Sequence, residues 1–301
     1  MSYTEVFLRV LFLLGVSIAG LVLGKKLKIN QRDISTLLVY LISPAVIFVA
    51  VMEAPKGYSY YSFALGAFLL CSLVSLVALL IGKLLWKDST AYLFAFGGGT
   101  GNTGYFGLPL AIGLFDVTGA ALAVFIILGV NLYEFSLGYF LTARGVGTVK
   151  ESLSRLVRLP ILYAFAVAAL LRQLEMDIDG ILIDGLENFK GAYSVLGMLV
   201  IGITLSHFEK LEIDWKYLVA SLSWKFLIWP LAGLAVIFWI PAELNGVERS
   251  MIMLMATVPM AGNVVIIANQ LNVHPEKAAT AVMTSTVLAL VSVPLLVGLT
   301  K

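Results

Sequence analysis

Two kinds of residue in this sequence are placed where they could do chemistry, and the first is a glycine-rich loop. Gly99 to Gly104 read GTGNTG, which has the spacing G-x-G-x-x-G. In soluble enzymes this spacing binds the pyrophosphate of a dinucleotide, because glycines let the phosphates approach backbone N–H groups at a helix N-terminus. The pattern also needs a preceding strand and an acidic residue about 20 positions further on. The corresponding stretch here is GAALAVFIILG and has no carboxylate, so a nucleotide-binding enzyme is the weaker alternative.

The second kind is a pair of ionisable side chains inside apolar stretches, Glu134 in NLYEFSLG and Lys225 in SWKFLIWP. Glu134 lies ten residues before Arg144, and Lys225 lies ten residues after Trp215. Both are therefore about 15 Å along a helix from the end of their apolar stretch. Charges at such depth in a bilayer are costly and usually functional. We predict that the two form an ion pair near Asn131. Either the pair has a coupling role, through a proton on Glu134 or the fixed ammonium of Lys225, or it only locks two helices together.

Other reactive groups are scarce in the sequence. It has one cysteine, Cys71, and two histidines, His207 and His274, which lie far apart, so neither a disulfide framework nor a Cys/His metal site is expected. A net charge of +2 and the lack of a basic, aromatic-rich segment argue against nucleic acid as a partner. We therefore expect no catalytic residues, no metal site and no cofactor, with coupling to protons or to sodium left open.

The elements that must position these residues are membrane-spanning helices. The chain of 301 residues is 60% hydrophobic and 13% charged, with a mean hydropathy of +0.98, whereas soluble domains carry about 25% charged residues. Apolar runs of about 20 residues are long enough to cross a bilayer. Ten such runs are predicted, at approximately 4–23, 34–52, 60–86, 90–115, 117–143, 157–173, 190–206, 217–240, 248–271 and 276–299.

The distribution of lysine and arginine predicts the orientation of these spans. Of the 20 basic residues, 13 fall in one set of alternating connections, six fall in the other, and Lys225 lies within a span. Because the basic-rich side is normally cytoplasmic, both termini are predicted to lie outside. Lysines follow the first run rather than precede it, so that run is interpreted as a helix and not as a signal peptide.

Ten spans divided by a polar connection give two sets of five, which must have opposite orientations in the bilayer. The predicted organisation is a first five-helix repeat at 1–143, a cytoplasmic connection at 144–156 and a second five-helix repeat at 157–301. Inverted repeats with interrupted helices are a transporter architecture. The fourth span is interrupted by glycines around Gly101 and the ninth by Pro259 to Asn263, each about 11 residues, or about 16 Å, into its span.

Two interruptions at mid-membrane depth predict an anion site. An unwound backbone there is tolerated only where protein or a water-filled cavity satisfies it, and the helix that restarts presents N–H groups and a positive dipole end. Close helix packing at the glycines and a simple proline kink are the alternatives. The residues predicted to contact the substrate are Gly101, Asn102, Thr103, Gly104, Pro259, Gly262, Asn263 and, from the second span, Ser43.

Three segments resemble the auxin efflux carrier family, which includes plant PIN-formed auxin carriers and bacterial malate and malonate permeases. They are Asn102 to Leu110 (NTGYFGLPL), Val258 to Asn263 (VPMAGN) and Leu271 to Val282 (LNVHPEKAATAV). The plant carriers have proline where this chain has Gly101, and many have a long middle loop that is absent here. Both departures argue against auxin itself as the substrate.

The resemblance implies an all-α fold like that of the bile-acid sodium symporters, with helices 4 and 9 crossing at their breaks. It implies a scaffold of helices 1, 2, 6 and 7, a transport domain of helices 3–5 and 8–10, elevator-type alternating access and a homodimer. A bacterial-type member would lie in the inner (plasma) membrane. We therefore expect a secondary transporter of a small organic anion, with a membrane-embedded nucleotide-binding enzyme and a passive anion channel as alternatives.

Overall fold

The regular secondary structure of this protein is helical throughout the part of the chain that a computed structural model describes, residues 3–54, 60–143, 158, 160–176, 178–206, 213–239 and 244–298. Helical segments lie in all ten ranges predicted from the sequence. The predicted cytoplasmic connection at 144–156 lies outside the described residues. The helices are α1 (Tyr3–Leu27), α2 (Gln31–Leu37), α3 (Ser43–Glu53), α4 (Tyr60–Leu85), α5 (Thr90–Gly98), α6 (Leu108–Leu114), α7 (Val117–Tyr133), α8 (Tyr139–Thr142), α9 (Pro160–Gln173), α10 (Gly180–Ser206), α11 (Trp215–Ser223), α12 (Trp229–Trp239), α13 (Gly246–Thr257), α14 (Asn263–Leu271) and α15 (Pro275–Gly298).

Short π-helical turns join several of these helices into longer rods. Leu38–Ile42 joins α2 to α3, Glu134–Gly138 joins α7 to α8, and Trp224–Ile228 joins α11 to α12. A fourth, Thr103–Gly107, precedes α6. Both intramembrane charges, Glu134 and Lys225, therefore lie in π-helical turns, which occur often at functional sites.

Three of the described helical rods are long and apolar enough to cross a membrane by themselves, Tyr60–Leu85, Val117–Thr142 and Trp215–Trp239. The first carries a continuous stripe of exposed leucines. A stripe of this kind would be costly in water and is favourable against lipid. The rod at 117–142, in contrast, is mostly buried among other helices. The protein is thus an integral membrane protein, and its ten spans remain a prediction. The leucines of the stripe are Leu65, Leu69, Leu73, Leu76 and Leu80.

The helices associate in two sets. In one, α1 packs along α10, and α3 packs against α9 and α10. Glycines make the first of these contacts close, since a Cβ at Gly202 would overlap the backbone carbonyl of Ser17. In the other set, α4 packs against α5 and α7, and α13 packs against α12, α7 and α15.

The structure corrects the predicted start of the seventh helical segment. The acidic residues Asp184 and Glu187 were expected in a connection, but α10 already begins at Gly180 and includes both. The side chain of Asp179 caps this end by accepting a hydrogen bond from the Ile181 N–H at 2.8 Å. An acidic residue at this position before the helix is favourable because of the helix dipole. Lys190 on the same helix pairs with Glu53 of α3 at 2.7 Å.

Several polar residues meet near the start of α11, on the side that the distribution of lysine and arginine predicts to be cytoplasmic. The Asp214 side chain accepts a hydrogen bond from the Tyr217 N–H, at 3.0 Å, and pairs with Lys277 at 2.8 Å. The hydrogen bond from Lys277, followed by that from Tyr217, holds the pKa of Asp214 below its ordinary value. The connection before α11 is therefore tied to the first turn of α15.

Candidate functional site

Two helix interruptions lie at the centre of the site. The helix α5 ends at Gly98 and helical structure resumes at Thr103, while α13 ends at Thr257 and α14 begins at Asn263. We call residues 99–102 the first break and residues 258–262 the second break. Glycine has a low helix propensity and proline removes a backbone donor, so both interruptions follow from the sequence.

The two breaks are in direct contact. The backbone N–H of Asn102 donates a hydrogen bond of 2.8 Å to the carbonyl oxygen of Pro259. Each break thereby satisfies a backbone group that the other leaves without a helical partner. Pro259, predicted as a substrate contact, acts here through its carbonyl as a link between the breaks.

Glu134 forms a second link between the breaks. Its side chain is 2% exposed, and one carboxylate oxygen accepts from the Thr100 hydroxyl at 2.5 Å while the other accepts from the Asn263 amide at 2.6 Å. Thr100 belongs to the first break and Asn263 follows the second. A buried carboxylate needs such donors, because an unsatisfied charge at this depth is strongly unfavourable.

The predicted ion pair between Glu134 and Lys225 is not formed. Among the described residues no salt bridge joins them, and the Lys225 ammonium has no hydrogen-bond partner. It lies 4.5 Å from the centroid of the Trp229 ring. The two residues match in depth, but depth does not determine which way each side chain points around its helix axis. The carboxylate is already occupied by Thr100 and Asn263.

The last carbonyl of α5 is satisfied by two tryptophans. The indole N–H groups of Trp224 and Trp229 both donate to the carbonyl oxygen of Gly98, at 3.1 and 2.8 Å. A helix end buried at this depth needs partners for its last carbonyls. Sequence reasoning missed this role, although two tryptophans five residues apart beside Lys225 were a visible signal.

The two carbonyls that precede this end have their own partners. The Ser75 hydroxyl donates to the Ala95 carbonyl at 3.0 Å, and the Tyr133 hydroxyl lies 3.2 Å from the Phe96 carbonyl oxygen. All of these donors come from other helices. The end of α5 that leads into the first break is thus held by side chains distant in sequence.

The second break has fewer side-chain partners of this kind in the described chain. The Met260 N–H donates to the Ser285 hydroxyl at 3.0 Å, and that hydroxyl donates in turn to the Val282 carbonyl. Ser285 is fully buried on α15. One side chain of α15 therefore ties the second break to the last helix.

A cavity of about 130 Å³ lies beside the two breaks. It brings together nine of the eleven predicted site residues, and Pro259 and Lys225 are not in its lining. The predicted residues that line it are Ser43, Gly101, Asn102, Thr103, Gly104, Asn131, Glu134, Gly262 and Asn263. We call it the first cavity.

The opposite wall of the first cavity comes from the other set of helices. Val39, Ser43, Val46 and Ile47 of the α2–α3 rod line it together with Tyr193 of α10. Of these only Ser43 was predicted. The apolar residues of this wall gave no signal in the sequence, since nothing distinguishes them from other buried residues of a spanning helix.

Comparison with known proteins agrees with this architecture. Residues 146–297, about half of the chain, match the family described as membrane transport protein (Mem_trans). An uncharacterized transporter of Methanocaldococcus jannaschii is 23% identical over 97% of this chain and 96% of its own length. An uncharacterized transporter of Methanothermobacter thermautotrophicus is 29% identical over 64% of this chain and 63% of its own. Both relatives are archaeal.

The predicted resemblance is confirmed by the family match, whose range includes the second break and most of the last helix. The Methanocaldococcus jannaschii transporter carries the similarity over the first break as well, since it aligns with nearly the whole chain. The chain therefore belongs to the membrane transport protein family of auxin efflux carriers and is a membrane transporter.

Proposed function

We propose that this transporter is a secondary carrier of small organic anions, bound as carboxylates in the first cavity. The observation that supports this most directly is the convergence of both breaks, three asparagines and a serine on one cavity. Helix starts and amide N–H groups are suitable partners for a carboxylate. The chemistry of the lining is that of binding, and no enzymatic step is proposed.

The size of the first cavity limits the substrate. A volume of about 130 Å³ has room for several water molecules. That is enough for a small mono- or dicarboxylate and far below the 300–1,000 Å³ typical of sites for larger ligands. A nucleotide does not fit, which weakens the alternative of a membrane-embedded nucleotide-binding enzyme.

Glu134 sets the coupling that we propose. A carboxylate in the wall of the cavity repels an anionic substrate unless a cation accompanies it. A proton on Glu134 would remove the repulsion, and a sodium ion held by Glu134 and Asn131 would compensate it. Co-transport of the anion with a cation follows from either case. Lys225, on the far side of the first break, contributes to the local potential without pairing with Glu134.

Movement of the substrate by an elevator mechanism fits the arrangement of the cavity walls. One wall belongs to the set of helices that includes α3 and α10, and the other belongs to the breaks and α7. Sliding the second set against the first would carry the cavity across the bilayer. We propose with it the ten-helix inverted repeat, the crossing of helices 4 and 9 and a homodimer, as in the family, with both termini outside the plasma membrane.

A passive anion channel is the second candidate, and transport kinetics separate the two. Purified protein in liposomes is tested with dicarboxylates, monocarboxylates and indole acids, while pH and sodium gradients are varied independently. A carrier gives saturable uptake of at least one small carboxylate, accelerated by one of the two gradients. Uptake that rises linearly with concentration and shows no counterflow would favour the channel.

The variant Glu134→Gln tests the coupling. It keeps the size of the side chain and can still hydrogen-bond with Thr100 and Asn263, but it cannot carry a proton. We expect uptake that no longer responds to the driving gradient, while exchange of internal for external substrate persists. Unchanged gradient dependence would rule out Glu134 as the coupling residue.

A further inference from the structure

A second cavity, of about 430 Å³, lies on the other side of the first break. Its walls come from α4, α7, α12 and α13, and most of them are apolar. Gly101 and Thr103 line both cavities, so the unwound backbone of the first break separates them. We call this space the second cavity; nothing in the proposed transport of small anions uses it.

The end of the second cavity that lies deepest in the protein carries the ammonium group of Lys225. The Lys225 side chain is 2% exposed and lines this cavity, and its ammonium has no hydrogen-bond partner among the residues that the structure describes. The ammonium lies 4.5 Å from the centroid of the Trp229 ring, and that contact replaces only part of the lost hydration. A buried ammonium in an apolar cavity is strongly stabilised by an anion.

The other carboxylate in the lining does not supply that anion. Glu248 lies in the first turn of α13, and its carboxylate accepts a hydrogen bond from the Asn245 N–H at 2.5 Å in a capping box. No salt bridge joins Glu248 to Lys225 within the described residues. The cation is therefore available to a ligand.

The mouth of the second cavity faces the apolar exterior. Ser62 and Gly66 of α4 line it and are exposed, on the same helix as the exposed leucine stripe. On the opposite side Val236 and Ile252 are half-buried. A ligand can therefore enter between α4 and α12 from the hydrocarbon of the bilayer.

We propose that the second cavity binds a single-chain fatty carboxylate, with the carboxylate on the Lys225 ammonium and the chain along the wall toward Gly66. The apolar walls match an alkyl chain, the single cation matches one carboxylate, and the volume is within the range of small-molecule sites but too small for two acyl chains. The site is separate from the first cavity and does not depend on which anion is transported.

The test is binding of radiolabelled decanoate to the full chain in lipid nanodiscs, with empty nanodiscs subtracted. Saturable binding is expected, displaced by excess decanoate and not by 1-decanol or acetate. In Lys225→Met the affinity should fall by about 30-fold or more, because one partner of a buried charge pair is removed. Lys225→Arg should retain binding, since it keeps the charge.

A matched pair of glycine variants tests the position of the chain independently of the charge. A Cβ at Gly66 or at Gly15 meets nothing within 4 Å, but only Gly66 lines the second cavity. Gly66→Leu should abolish saturable decanoate binding, and Gly15→Leu on α1 should leave it unchanged. The proposal is overturned if wild type shows no saturable binding, if Lys225→Met binds as wild type does, or if Asn102→Ala rather than Gly66→Leu removes binding.

Discussion

The first and second breaks interrupt their helices by different chemistry and are held by different means. The first is made of glycines, and side chains from α4, α7 and the α11–α12 rod satisfy the carbonyls of Ala95, Phe96 and Gly98. The second is made by Pro259 and is held through one described hydroxyl, that of Ser285. The glycines leave the backbone of the first break flexible, so that break depends on its side-chain partners. In the second break the ring of Pro259 restricts the backbone itself.

The two breaks should therefore differ in which changes they tolerate. Redundant partners protect the first break against the loss of any one of them, but its glycines have no space around them. The second break has free space at Gly262 and, among the described residues, a single side-chain partner. Glu134 contacts both breaks, so it should matter most to each.

The largest effect is expected for Glu134→Leu. It removes both hydrogen-bond acceptors, which leaves the buried Thr100 hydroxyl without its partner, at about 1–3 kcal/mol, and the half-buried Asn263 amide without its partner at a smaller cost. Uptake should be lost and the midpoint of thermal unfolding in detergent should fall. Glu134→Gln, which preserves hydrogen bonding, should unfold close to wild type, and equal destabilisation by both variants would contradict the bridging role.

The glycines of the two breaks give a matched comparison. A Cβ at Gly99 would overlap the Tyr133 hydroxyl and Ser75, whereas one at Gly262 meets nothing within 4 Å. Gly99→Ala should therefore cost about 1–3 kcal/mol through overpacking. Gly262→Ala should be neutral or stabilise by up to about 1 kcal/mol, because it restricts the unfolded chain. Thermal unfolding measures both. A lower unfolding midpoint for Gly262→Ala than for Gly99→Ala would contradict the packing described for the two breaks.

Single hydrogen-bond deletions should show the redundancy of the first break. Ser285→Ala leaves the Met260 N–H unsatisfied, at about 1–3 kcal/mol. Trp229→Phe should cost less, about 0.5–1.5 kcal/mol for one hydrogen bond, because Trp224 still donates to Gly98. Combining it with Trp224→Phe should cost more than the sum of the single variants. Ser72→Ala, whose hydroxyl bonds only within α4, is the control and should change little.

The smallest effect is expected at a helix end in water. Asp214→Ala removes the cap of α11 and should cost about 1 kcal/mol, compared with the larger cost of losing a cap at a buried break. Because the Lys277 hydrogen bond lowers the pKa of Asp214, this contribution is complete above the ordinary value of 3.8 and is lost as the pH falls through the lowered pKa. The difference in unfolding midpoint between wild type and variant should therefore shrink on acidification below that value. A difference in unfolding midpoint that grows on acidification would contradict a lowered pKa of Asp214.

Much of this architecture could be predicted from local sequence signals. Apolar runs gave the ranges of the helices, and the glycine cluster and Pro259 gave the positions of both breaks. The contacts of Glu134 could not be predicted in the same way. Its partners, Thr100 and Asn263, are 34 and 129 positions away, and the rotation of each helix about its axis decides that they meet. The same rotation directs Lys225 into a separate cavity.

The caps of the first break show the same limit. Trp224 and Trp229 lie 126 and 131 positions from Gly98. Tryptophans of membrane proteins are enriched at the membrane–water interface, so the sequence suggests an interfacial role for them rather than capping of a buried helix end. Local spacing predicts that α5 must end but not which side chains satisfy that end. The family resemblance supplied the expected function, while the geometry of the partners came from the fold.

Counterflow is the most direct test of whether small carboxylates bind between the two breaks. Liposomes containing purified protein are loaded with the carboxylate that the uptake panel identifies, and entry of the labelled compound is followed without any imposed gradient. Wild type and the control Asn188→Ala, on the exposed part of α10, should show a transient accumulation of label. Asn102→Ala and Asn263→Ala should show little, with a raised KM for uptake. Equal counterflow in all four proteins, or none in wild type, would contradict the account.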